Sequence, residues 1–145
     1  MIPVTWRLFS HNDLIEYDDI SLMEKMTDAE RPLDDGGFPG RFVKSFFRRS
    51  DEVDRFGLHG PHFVDGAAPK WVQPSGRILG PDDNLTRPAT EYGYDVAQVN
   101  HYAVRTLDGY LVKKDRGRAN HFKQELGGAY WRKMCLGGEE DTTIQ

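Results

Sequence analysis

A mixed α/β domain rich in turns is the fold that this sequence predicts. Two apolar runs of period two, a capped helical pattern around residues 106–117, and many chain-breaking residues all point to it. With 15 Gly and 8 Pro among 145 residues, long regular elements cannot fill the chain. A hydrophobic content of 38%, including eight Phe, six Tyr and three Trp, supports one modest core, so residues 1–145 are expected to form a single loop-rich domain.

Ile2, Val4, Trp6 and Leu8 alternate with Thr5, Arg7 and Phe9, which is the period of a strand. A strand that opens at the first residues needs a neighbour, or it leaves an edge through which a second copy could pair. Asp18 or Asp19 can cap a helix over residues 20–29, with Ile20, Met23 and Met26 giving an apolar stripe. Residues 31–40 combine Pro, Asp and Gly and read as a mobile, lid-like loop. Phe42, Val43, Phe46 and Phe47 around Lys44 predict a short buried strand, and residues 51–56 a single helical turn. Trp71-Val72-Gln73 and Arg77-Ile78-Leu79 flank Pro74-Ser75-Gly76 in the pattern of a hairpin, after which residues 80–94 are turn-rich. Residues 95–104 alternate again and deliver either Asn100 or His101 to a strand end. Thr106 can then cap a helix that Gly117 stops. On that helix Tyr110 and Leu111 face the core, while Lys113 and Arg116, three apart, share another face.

The chain carries a net charge of −4, yet residues 101–123 hold Arg105, Lys113, Lys114, Arg116, Arg118 and Lys123 against only Asp108 and Asp115. A basic island in an acidic chain concentrates phosphate or carboxylate ligands, with a solvated helix face as the plain alternative. An acidic total and no aromatic-basic repeat disfavour an RNA-binding domain, so no nucleic-acid partner is expected. Arg105 is expected to pair with Asp108, and exchanging Lys113 or Arg116 for Ala to leave stability nearly unchanged. Cys135 is the single cysteine, which excludes an intrachain disulfide, fits a reducing cytoplasm and points to a packing role. No apolar run approaches the roughly 20 residues of a membrane span. The start of the chain also lacks a signal-peptide pattern.

His59-Gly60-Pro61-His62 forms a loop rather than the helix that sets paired histidines on one metal, which argues against zinc. With Trp6, Phe63 and Trp71 these imidazoles suit a sugar cleft, where aromatic faces meet C–H groups and ring nitrogens meet hydroxyls; core packing is the alternative for each tryptophan. Asp13, Glu16 and Asp19 are further acid/base candidates, with capping or surface roles as the alternative.

Asn100-His101-Tyr102, Arg105-Thr106, Tyr110, Lys113 and Arg116-Gly117 together resemble the C-terminal signature of bacterial GT-A-fold glycosyltransferases related to glycosyltransferase families 2 and 92. Trp6-Arg7-Leu8-Phe9-Ser10, Phe42-Val43-Lys44-Ser45 and Tyr130-Trp131-Arg132-Lys133 resemble further pieces of that family in the same order. Thr106, Gly109 and Ser10 depart from its pattern. The nucleotide-binding half and its Asp-x-Asp metal motif are missing, and Asp18-Asp19, Asp34-Asp35 and Asp82-Asp83 do not replace that motif, because each sits beside turn or capping residues. The resemblance implies the acceptor-side, C-terminal half of an enzyme that transfers a sugar from a nucleotide-sugar to a glycan or other hydroxyl acceptor. It implies Lys113, Arg116 and Lys114 on the diphosphate, His101 on a manganese or magnesium ion, and Trp6, His59, His62 and Trp71 around the acceptor. The metal is expected only where the missing half is present, and these residues alone are expected to lack activity. Peripheral association with a membrane follows from relatives that build surface polysaccharides. The alternative is a non-catalytic carbohydrate- or nucleotide-binding module.

Overall fold

The structure, a computed structural model, describes residues 1–31, 42–80, 94, 96–117 and 126–143. It is mixed α/β, with small sheets and few helices. The chain organises into two compact units, one formed by Met1–Arg7 and Pro32–Val99, the other by Leu8–Arg31 and Asn100–Gln145.

Strand β1 (Ile2–Leu8) is the alternating run at the start of the sequence, with β2 (Asp28–Ala29) and β3 (Val43–Phe46) following it. β1 pairs antiparallel with β3, Ile2 opposite Phe46 through Thr5 opposite Val43. It occupies the middle of a three-stranded sheet, β3-β1-β8, whose third member β8 is Val99–His101. As the central strand it is paired along both edges, and residues pointing to both of its faces, Val4, Thr5, Arg7 and Leu8, are buried. The open edge anticipated for this strand is therefore filled by the chain itself. Arg7 is accommodated because Nη1 donates to Gln98 Oε1 at 3.4 Å and the guanidinium lies 5.2 Å from the Tyr94 ring centre.

The first unit continues with two hairpins. β4 (Val53–Phe56) pairs antiparallel with β5 (Pro61–Phe63), where the sequence suggested a helical turn. The reason is the tight connection between them, in which Gly57 N–H donates to the Gly60 carbonyl at 2.9 Å and turns the chain back before a helix can propagate. β6 (Trp71–Val72) and β7 (Ile78–Leu79) form the expected hairpin, with Gly76 at φ +92°. Phe46 is 68% exposed, so the β3 segment is buried at Val43 and open at its far end rather than buried throughout.

In the second unit the helix expected over residues 20–29 is one turn, α1 (Leu22–Lys25), capped by Ser21, whose Oγ accepts from Met23 N–H at 3.3 Å. Asp28 and Ala29 instead pair with Glu140 and Glu139 of β9 (Glu139–Glu140), and Met26 fills the core at the point where the helix stops. Tertiary pairing overrides the local apolar stripe there. α2 (Leu107–Arg116) follows the expected pattern, with Thr106 as N-cap and Gly117 at φ +79° ending it. Val104, Tyr110 and Leu126 form the core beneath α2, and Tyr130, Trp131, Met134 and Cys135 of α3 (Gly128–Met134) and its end pack onto it. Leu111, expected in this core, is 50% exposed. Among the described residues no helix is long and apolar enough to cross a membrane. The lid-like reading of residues 31–40 and the turn-rich reading of 80–94 fall almost entirely outside the described residues.

Candidate functional site

The end of β8 is held by the segment after β1. The His101 carbonyl accepts from Phe9 N–H at 3.2 Å and from Ala103 N–H at 3.1 Å, which closes a tight turn. Val104 and Thr106 are buried on either side of Arg105, and this alternation throws Arg105 outward with φ +59°. Thr106 Oγ1 accepts from Gly109 N–H at 3.2 Å. The Leu14 and Ile15 carbonyls accept from Leu107 and Asp108 N–H at 3.1 and 3.0 Å. The leading amides of α2 are thus satisfied by the protein, and a ligand beside this helix must be met by side chains.

Those side chains border a cavity of about 570 Å³ in the second unit, with Tyr17, Tyr102, Arg105, Asp108, Lys113 and Arg116 among its walls. Three cations thus face one carboxylate. Lys113 Nζ donates to the Ala103 carbonyl at 2.6 Å and to Tyr130 Oη at 3.2 Å, and sits 5.1 Å from the Tyr130 ring centre. An ammonium has three N–H donors, so one remains for the cavity. Among the described residues neither Arg105 nor Arg116 has a hydrogen-bond or ion-pair partner for its guanidinium, and the expected Arg105–Asp108 pair does not form. Lys113 and Arg116 are brought together as the sequence suggested, whereas Lys114 is exposed and does not line the cavity.

His101 is half-buried and its ring does not line this cavity. Among the described residues no three His, Cys, Asp or Glu side chains gather as a metal site.

Around Tyr17, the hydroxyl donates to Asp19 Oδ1 at 3.1 Å, and this hydrogen bond to a carboxylate pushes the phenol above its ordinary pKa. Lys25 holds Asp18, and its hydrogen bond lowers the Asp18 carboxyl below the usual range. These contacts give Asp18 and Asp19 structural occupations. Asp13 is fully exposed at φ +56°, 3.9 Å from His11 Nδ1. Burial pushes the Cys135 thiol up, in keeping with a packing role.

The first unit has its own cavity, about 560 Å³, bordered by His59, Pro61, His62, Phe63, Pro69 and Trp71. His59 Nδ1 lies 2.9 Å from the Val43 carbonyl, which can only accept, so Nδ1 carries a proton and donates it there. Trp6 stands behind His59, ring centres 5.5 Å apart, rather than in the cavity wall. Trp71 lines the cavity but is only 9% exposed. Three of the four anticipated acceptor residues therefore share one cavity, and the fourth packs against one of them.

No protein-family model, no curated protein and no solved structure matches the chain.

Proposed function

We propose that the chain serves sugar transfer from a nucleotide-sugar to a hydroxyl acceptor such as a glycan, with the α2 cavity taking the donor diphosphate. The observation that carries this reading is the arrangement of Arg105, Lys113 and Arg116 around one cavity with a single carboxylate, Asp108. Cations fixed at that place would stabilise the negative charge that builds on a departing diphosphate. The cavity lies within the size range of small-ligand sites, about 300–1,000 Å³. The glycosyltransferase resemblance of the segment from Asn100 to Gly117 supports the choice of a nucleotide-sugar over other phosphorylated ligands. A non-catalytic nucleotide- or carbohydrate-binding role is the second reading. It is favoured by the lack, among the described residues, of a grouped set of metal ligands.

Calorimetric titration of the full chain with a panel of nucleoside diphosphates and the matching nucleosides tests the shared core of both readings. Diphosphates are expected to bind and the nucleosides to bind far more weakly. Equal binding of the two sets, or binding of neither, would refute a diphosphate site. Turnover of a nucleotide-sugar then separates the enzyme from the module.

A further inference from the structure

Arg105 stands in a backbone conformation that side-chain-bearing residues rarely adopt, φ +59°. Its neighbours hold it there. Val104 is fully buried and Thr106 is 2% exposed, and the Thr106 hydroxyl is committed to the first turn of α2. The left-handed backbone would suit glycine or asparagine better, and among the described residues the arginine side chain makes no ion pair or hydrogen bond that would offset the strain. What the side chain does have is a place on the cavity wall, with Lys113 and Arg116.

We propose that Arg105 is a ligand-binding residue of this cavity and that, with Arg116, it selects a pyrophosphate group over a single phosphate; the proposal rests on the cavity being an anion site at all. Arg105 precedes α2 and Arg116 ends it, so their backbones are separated by about 15 Å along the helix, with Lys113 between them. Two guanidinium forks on the wall of one cavity suit an elongated polyanion, each able to grip one phosphoryl group through two parallel N–H donors. Lys113 contributes its one remaining donor between them. A single phosphate engages one fork and leaves the other in water.

The test is calorimetric titration of the full chain, at low ionic strength, with inorganic pyrophosphate and with orthophosphate. The variants are Arg105→Gly, Arg105→Asn, Arg105→Lys and Arg116→Ala, each with its thermal midpoint. The parent is expected to prefer pyrophosphate. Arg105→Gly and Arg105→Asn are expected to lose about tenfold to a hundredfold in pyrophosphate affinity. Their thermal midpoints should equal or exceed the parent's, because the backbone strain is relieved. Arg105→Lys, which keeps the charge and loses the fork, should fall between. Pyrophosphate affinity within twofold of the parent in Arg105→Gly, with loss in Arg116→Ala, would overturn the role of Arg105 and leave the anion site standing. A parent that binds no pyrophosphate would overturn both. Loss of affinity in Arg105→Gly together with a lowered midpoint, both restored in Arg105→Asn, would make the residue structural and also overturn the proposal.

Discussion

Replacing Lys113 with Met separates the two tasks that its ammonium performs. Methionine keeps an unbranched stem against α2 and removes only the charged end. The Ala103 carbonyl then loses the donor at 2.6 Å, and Ala103 is 4% exposed, so water cannot readily replace it. An unsatisfied buried acceptor costs about 1–3 kcal/mol. The lost contact with the Tyr130 ring adds about 0.5–1 kcal/mol, and relief from holding an ammonium half-buried offsets part of the sum. A net destabilisation of about 2 kcal/mol follows. For a chain of this length that lowers the thermal midpoint by about 4–8 °C. Arg116→Ala removes an exposed side chain without partners among the described residues, and should stay within about 0.5 kcal/mol of the parent. Urea unfolding followed by far-ultraviolet circular dichroism, with hydrogen exchange at the α2 amides to locate the change, measures both. A Lys113→Met variant as stable as Arg116→Ala would refute the reasoning and show that the Lys113 ammonium holds nothing in the fold.

Two further substitutions probe the frame around the cavities. Tyr110 donates to the Leu126 and Gly127 carbonyls, each at 2.9 Å, so Tyr110→Phe should cost about 1–2 kcal/mol in thermal or urea unfolding. Burial, with a smaller contribution from Tyr130, raises the Tyr110 phenol above its ordinary value of 10.0. The stability tied to its neutral form is therefore complete below that value and lost as pH rises through the folded-state pKa, an alkaline loss that the Phe variant should lack in a stability-versus-pH series. Gly57→Ala would place Cβ 2.5 Å from the Gly60 carbonyl oxygen and 2.7 Å from His62 Nε2. The β4–β5 turn must then shift, at about 1–3 kcal/mol, with faster exchange of the Phe56 and Val64 amides; unchanged protection there would refute the turn geometry.

Elements written in local signals were legible from the sequence. β1 follows period-two alternation, the β6–β7 hairpin follows Pro-Ser-Gly, and α2 follows the Thr106 cap and Gly117 stop. Elements decided by distant partners were not. Asp28 and Ala29 leave the helical pattern to pair with residues more than a hundred positions later, and nothing near residue 28 announces Glu139 and Glu140. The Asp28 carboxylate also accepts from Gly138 N–H at 2.7 Å, adding a second tie that no local pattern encodes. The β4–β5 hairpin did carry a signal, glycine at both ends of the four-residue connection from Gly57 to Gly60, which the charged run before it outweighed.

The same distinction explains the α2 cavity. Lys113 and Arg116 could be placed together because both lie within a regular helix, where residues three apart are neighbours. Applying that spacing rule to Arg105 and Asp108 fails, because Arg105 lies before the N-cap at φ +59°, and its side chain leaves the helix surface for the cavity wall. A positive φ at a residue without glycine's freedom has no sequence signature, so the place of Arg105 on the cavity wall, rather than in a pair with Asp108, could be found only from the backbone. Its consequence is chemical. The leading α2 amides are held by the Leu14 and Ile15 carbonyls, so they cannot wrap an anion as a free helix start would. An anion in this cavity would therefore meet three cationic side chains with very different freedom: one tethered ammonium, one guanidinium on a strained backbone, and one at the end of the helix.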